Sequence, residues 1–119
     1  MIIFVDIDNT ICYSSNLDYT KAIPNYENIK KVNNLYKNNT IVMWTARGTL
    51  SNKNWFKITY QQLLNWKVNF HELRMGKPAF DIFIDDKALN SIYHWNNINV
   101  YQILYPSKKH FTIVKNTFV

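Results

Sequence analysis

Apolar runs alternating with amphipathic segments predict an α/β domain with a mainly parallel central sheet. Residues 2–5, 40–44 and 80–84 are apolar almost throughout, as strands covered on both faces are, and the segments between repeat apolar residues at helical spacing. Right-handed crossover helices would then cover the two faces of the sheet.

The elements follow in order. The first strand covers residues 2–7, and residues 12–24 form a looser stretch without helical periodicity. Pro24-Asn25 opens a helix with Asn25 as N-cap and Tyr26, Ile29, Val32, Leu35 and Tyr36 on one face, stopping at the Asn38-Asn39 turn. "TIVMW" (40–44) is the second strand and runs into "TARG". A second helix begins between Ser51 and Asn54 and reaches Trp66, with Trp55, Thr59, Leu63 and Trp66 as its stripe. A short third strand covers 68–70 or 71, and "HELRMGKP" leads to the fourth at 80–84, which ends in Asp85-Asp86. A third helix then turns Ala88, Leu89, Ile92, Tyr93 and Trp95 inward, "VYQIL" (100–104) is a fifth strand, and the tail adds an edge strand.

At 119 residues the chain reads as one domain, and 47% hydrophobic composition excludes a disordered chain. It has no bilayer-length apolar run and no signal-peptide pattern, which points to a cytoplasmic protein with no membrane partner. The single Cys12 excludes an internal disulfide and a cysteine zinc site. If Asp6, Asp8, Asp85 and Asp86 belong to a site, Asp18, Glu27, Glu72 and Asp81 remain against 14 Lys and Arg, for a net charge of +6. Such a surface attracts anions, nucleic acid included, although a compositional bias accounts for it equally well.

Parallel strands end at one edge, where ligands bind. Asp6 and Asp8 follow the first strand, Thr45 the second, and Asp85 and Asp86 the fourth, so three distant segments converge. Clustered carboxylates need a cation or a basic partner, and oxygen ligands suit Mg²⁺. Asp6, at the end of a rigid strand, is placed for nucleophilic attack on phosphorus. Asp8 can serve as acid and base if its surroundings raise its pKa relative to that of Asp6. The Thr45 hydroxyl, the main-chain N–H groups around Asn9 and Thr10, and Lys77 would hold the remaining phosphate oxygens.

The ordered set resembles the haloacid dehalogenase superfamily of phosphatases. "DIDNT" (6–10) resembles the nucleophile motif, "WTAR" the phosphate-binding motif, Lys77 the motif lysine, and "DD" (85–86) the acidic metal motif, spanning residues 2 to about 104. The resemblance implies a three-layer, Rossmann-like domain of the capless type. It implies Asp6 as nucleophile and Asp8 as acid/base, with Thr45 and Lys77 on the phosphoryl group and Asn9, Thr10, Ala46 and Arg47 contacting substrate. Asp6, Asp8 (through its carbonyl), Asp85 and Asp86 would attend Mg²⁺. The sequence departs from the family where only Pro78 and Ala79 separate Lys77 from the next apolar run, so Lys87 or Arg74 are substitutes for that role. "TARG" with "GKPAFDIFIDDKA" is similar to capsule- and lipopolysaccharide-associated phosphatases of phosphorylated sugars. "IDDK" with "NVYQI" is similar to the phosphatase domain of polynucleotide kinase-phosphatases. A phosphorylated small metabolite is the first expectation and a nucleic-acid 3′-phosphate the second, with a homo-oligomer as one way to cover an open site. The competing class is a non-catalytic phosphate- or protein-binding module.

Other residues stay open at this level. Arg47 reads as a contact for substrate charge or as a structural ion pair, His71 as structural, and Trp44, Trp55, Trp66 and Trp95 as packing. Tyr13 and Tyr19 are candidates for the substrate entrance.

Overall fold

The computed structural model describes residues 1–15, 18–90 and Trp95. The chain separates into two units, Met1–Asp81 and Ile82–Val119. In the first, β1 (Ile2–Val5), β2 (Cys12–Tyr13), a 3₁₀ turn (Tyr19–Lys21) and β3 (Ile23–Pro24) precede α1 (Tyr26–Tyr36), β4 (Thr40–Trp44), α2 (Phe56–Asn65) and β5 (Glu72–Arg74). The main sheet has the order β1-β4-β5 and both pairings are parallel, whereas β2 and β3 form a separate antiparallel pair. The unit is therefore α/β with a parallel sheet.

The helices form where their periodicity puts them. The Asn25 side chain accepts the Asn28 N–H at 3.1 Å and caps α1, which buries Ile29, Val32 and Leu35. Helix α2 buries Thr59 and Leu63, with Trp66 just past its end. The middle strand β4 buries Ile41, Val42 and Met43, all at most 3% exposed. Each such aliphatic side chain contributes about 1.5–3 kcal/mol by leaving water, so the central strand anchors the unit.

Several expectations shift, beginning with the first strand, which ends at Val5 rather than at residue 7. The third strand lies at Glu72–Arg74 rather than 68–71, because residues 67–68 are used to close α2. Lys67 takes a left-handed φ of 58°, its N–H reaches Leu64 O at 3.1 Å, and the Val68 N–H reaches Leu63 O at 3.0 Å, a Schellman closure. Pairing starts only where His71 N–H meets Ile41 O at 2.9 Å. Residues 80–84, the expected fourth strand, join no ladder with the described strands, and Ile82 and Ile84 are 78% and 93% exposed. An apolar run becomes a strand only through a paired neighbour, and here none of the described strands provides one. Residues 88–90 show no helix, and the remainder of the expected third helix, the strand at 100–104 and the tail strand lie outside the described residues apart from Trp95. Among the described residues no helix is long and apolar enough to cross a membrane.

Candidate active site

Because β1, β4 and β5 run parallel, the residues that follow them meet at one sheet edge. Asp6 leaves β1, Thr45 leaves β4, and the pairing continues past the strands: Thr45 N–H donates to Arg74 O at 3.1 Å and Lys77 N–H to Thr45 O at 3.0 Å. That last bond brings Lys77 to Asp6, with Nζ 3.3 Å from Oδ1. The ammonium also lies 5.7 Å from the ring centre of Trp44 and 5.5 Å from that of Phe80. Of the substitutes for the lysine, Arg74 is engaged instead with Glu72 at 2.7 Å.

The chain after Asp6 folds back tightly. Ile7 O accepts from Thr10 N–H and Ile11 N–H, and Asn9 sits at φ 60°, which asparagine tolerates better than most residues. Ile7 and Ile11 are fully buried, pinning the turn to the core. Thr10 Oγ1 then donates to Asp6 Oδ2 at 3.3 Å.

Asp8 is held from two sides. Arg47 donates from Nε to Oδ2 at 2.9 Å and from Nη2 to Oδ1 at 2.8 Å, and the Ser14 hydroxyl also donates to Oδ1. The two aspartates are thereby polarised in opposite directions. Burial raises the pKa of Asp6 above the ordinary carboxylate value, with Lys77 and the Ile7 N–H opposing it. Burial also works against ionised Asp8, but the hydrogen bonds from Arg47 and Ser14 outweigh it and hold its pKa below the ordinary value. This reverses the expected order, in which Asp8 was to be the more basic of the pair, and its cause is a buried guanidinium 39 residues away in sequence.

Asp6, Asp8, Asn9, Ala46, Arg47 and Lys77 line a cleft of about 390 Å³. Ser14, Ser15, Tyr19 and the stretch from Pro78 to Phe80 also line it. Tyr19 thus reaches the entrance, whereas Tyr13 is 59% exposed and its hydroxyl accepts from Asn25. Thr45 is 1% exposed, and its Oγ1 accepts the Arg47 N–H at 3.1 Å. His71 has a structural contact, accepting the Ile41 N–H at Nδ1 (3.0 Å) while stacking on Tyr36. Trp66 is buried, and Trp44 and Trp55 make edge contacts with Phe4 and Tyr19.

The donor chemistry admits Mg²⁺. Asp6 presents a hard carboxylate oxygen to the cleft. Among the described residues, however, no group of three or more His, Cys, Asp or Glu stands together as a metal site. Asp85 and Asp86 belong to the second unit, where the Asp86 N–H donates to Asp85 Oδ1 at 2.8 Å.

Sequence reasoning missed Ser14, Thr59 and Gln62. Thr59 Oγ1 and Gln62 Oε1 accept from Arg47 Nη1 at 3.1 and 2.6 Å. One signal was present: a threonine in the buried stripe of a helix needs a polar partner for its hydroxyl.

No family model and no curated protein matches the chain. Among solved structures, the crystal structure of an MCSG target from Vibrio cholerae matches with a TM-score of 0.79 at 22% identity, over 94% of this chain and 97% of that one. A likeness at that identity speaks for the α/β fold alone.

Proposed function

We propose that this protein is a phosphomonoester hydrolase of the haloacid dehalogenase type, a capless three-layer Rossmann-like domain acting on a phosphorylated sugar or other small metabolite in the cytoplasm. The observation that carries the reading is the pairing of Asp6 with Lys77 at 3.3 Å in the cleft that Asp8 also lines. A nucleophile needs an accessible atom, and the Asp6 side chain is 37% exposed at the end of a rigid strand. A cleft of about 390 Å³ suits a small phosphate ester.

In this scheme an Asp6 carboxylate oxygen attacks phosphorus, the bond to the leaving oxygen breaks, and an aspartyl-phosphate forms. Lys77 counters the negative charge of the phosphoryl oxygens. Asp8 gives its proton to the leaving oxygen, and the carboxylate so formed, stabilised by Arg47 and Ser14, takes a proton back from the water that cleaves the aspartyl-phosphate. Within the first unit, Asp6 and the Asp8 carbonyl are the groups that would hold Mg²⁺, which when bound would supply charge neutralisation for the phosphoryl group.

The test is phosphate release with and without Mg²⁺ by wild type and Asp6→Asn, across sugar phosphates, nucleotides, amino-alcohol phosphates and a 3′-phosphorylated oligonucleotide. Turnover of small esters by wild type alone supports the proposal. Equal turnover by Asp6→Asn would remove the nucleophile, and preference for the oligonucleotide would replace the substrate class, a second reading that the net charge of +6 favours.

A further inference from the structure

Arg47 borders the cleft, yet its side chain has no exposed surface. A guanidinium has five N–H donors and no acceptor. Here every one has a partner: Nε meets Asp8 Oδ2, Nη1 meets Thr59 Oγ1 and Gln62 Oε1, and Nη2 meets Asp8 Oδ1 and, at 3.9 Å, Cys12 Sγ. An arginine that reads a substrate phosphate keeps donors open toward it, and this one has none to offer without breaking a buried bond.

Gln62 fixes the guanidinium in turn. Its Nε2 donates to Tyr19 O at 2.6 Å while its Oε1 accepts from Arg47, and only this amide orientation works, because a carbonyl accepts and a guanidinium donates. The Tyr19 ring covers the guanidinium with its centre 4.7 Å from Cζ, and Trp55 packs edge-on against that ring at 5.0 Å. Helix α2, the 3₁₀ turn and the exit of β4 therefore all bear on one carboxylate.

We propose that Arg47 and Gln62 are positioning residues that lock the Asp8 side chain in one rotamer beside Asp6, Gln62 acting through Arg47 and Arg47 through a bidentate grip on the carboxylate. The proposal rests on the reading of Asp8 as the acid/base group. It assigns Arg47 a role other than substrate contact and Gln62 a role where sequence indicated none. Rotation of Asp8 about χ1 has to break two parallel N–H···O bonds at once, so loss of either positioning residue frees the carboxylate to leave its working place. A misplacement of about 1 Å costs on the order of 100-fold in rate.

The experiment uses the full chain with Mg²⁺ and p-nitrophenyl phosphate as probe, comparing wild type with Arg47→Ala, Arg47→Lys and Gln62→Leu. Arg47→Ala is expected to lower kcat by about 100-fold with KM within about twofold, to be partly rescued by millimolar guanidinium, and to add little to the loss already caused by Asp8→Asn. Arg47→Lys, which lacks the planar fork, is expected to recover only part of the rate. In parallel, three-bond couplings measured by NMR report the Asp8 χ1 population without reference to turnover: a single rotamer is expected in wild type and averaging in Arg47→Ala and Gln62→Leu. If Arg47→Ala does not fold, Gln62→Leu carries both readouts with smaller effects. A single Asp8 rotamer retained in the variants, or a rise in KM with kcat intact, overturns the positioning role. Wild type inert on the probe but with Asp8 freed in the variants overturns the acid/base reading while leaving the lock in place.

Discussion

Asp8→Ala is the perturbation whose cost the structure defines best. It leaves Arg47, a side chain with no exposed surface, without the carboxylate that receives two of its hydrogen bonds. Removing one partner of a buried ion pair costs about 3–5 kcal/mol, because the remaining charge is stranded. Asp8 is itself 21% exposed, so water can partly replace it, and the lower end, about 3 kcal/mol, is the expected loss. For a chain of this size that corresponds to a fall in Tm of roughly 12 °C. Urea titration at pH 7 should show a lower midpoint with an unchanged slope. Acid supplies the second half of the test. The pKa of Asp8 is depressed in the fold, so its contribution is fully present above the unfolded value and disappears as pH falls through the folded value. Wild type and variant should therefore converge in acid. Equal stability at pH 7, or a gap that widens below pH 4, would refute the reasoning.

Asp6 predicts the opposite sign. Its pKa is raised by burial, so its ionised form disfavours folding, and Asp6→Asn should match or exceed wild type in Tm at pH 7; wild type should gain on the variant as pH falls through the raised folded value and Asp6 takes up its proton. Gly48→Ala should lower Tm more than Gly76→Ala does: both sites have positive φ, 82° and 80°, but only at Gly48 would a Cβ meet main chain, 2.2 Å from Lys53 O. Asn25→Ala should cost about 1 kcal/mol in a urea titration through loss of the α1 cap, and an unchanged midpoint would assign the capping elsewhere.

Helices α1 and α2, the parallel sheet and the placing of Asp6, Asp8 and Thr45 at one edge were legible in the sequence because each follows from periodicity or from where a strand ends. The positions of β5 and of residues 80–84 were not. Val68 is apolar and β-branched, yet its N–H is used to close α2, a demand of helix-end geometry that outweighs strand propensity. Residues 80–84 have the composition of a buried strand, but pairing is a relation between segments that a single run does not encode. The ring around Asp8 was hidden for another reason. Ser14 and Tyr19 stand in a stretch without period, and Gln62 lies off the apolar stripe of α2, so only the three-dimensional path of Arg47 brings them together. Arg47 itself was visible as either a substrate contact or an ion pair, and the fold places it on Asp8.

The central claim, that Asp6 becomes covalently phosphorylated, is tested most directly by acid-quenching the protein during turnover of a phosphate ester with Mg²⁺ and measuring the intact mass. A fraction heavier by one phosphoryl group is expected, labile to hydroxylamine as an acyl phosphate is, mapped to the peptide containing Asp6 and absent from Asp6→Asn. Sustained turnover with no such adduct, or an adduct that persists in Asp6→Asn, would contradict it.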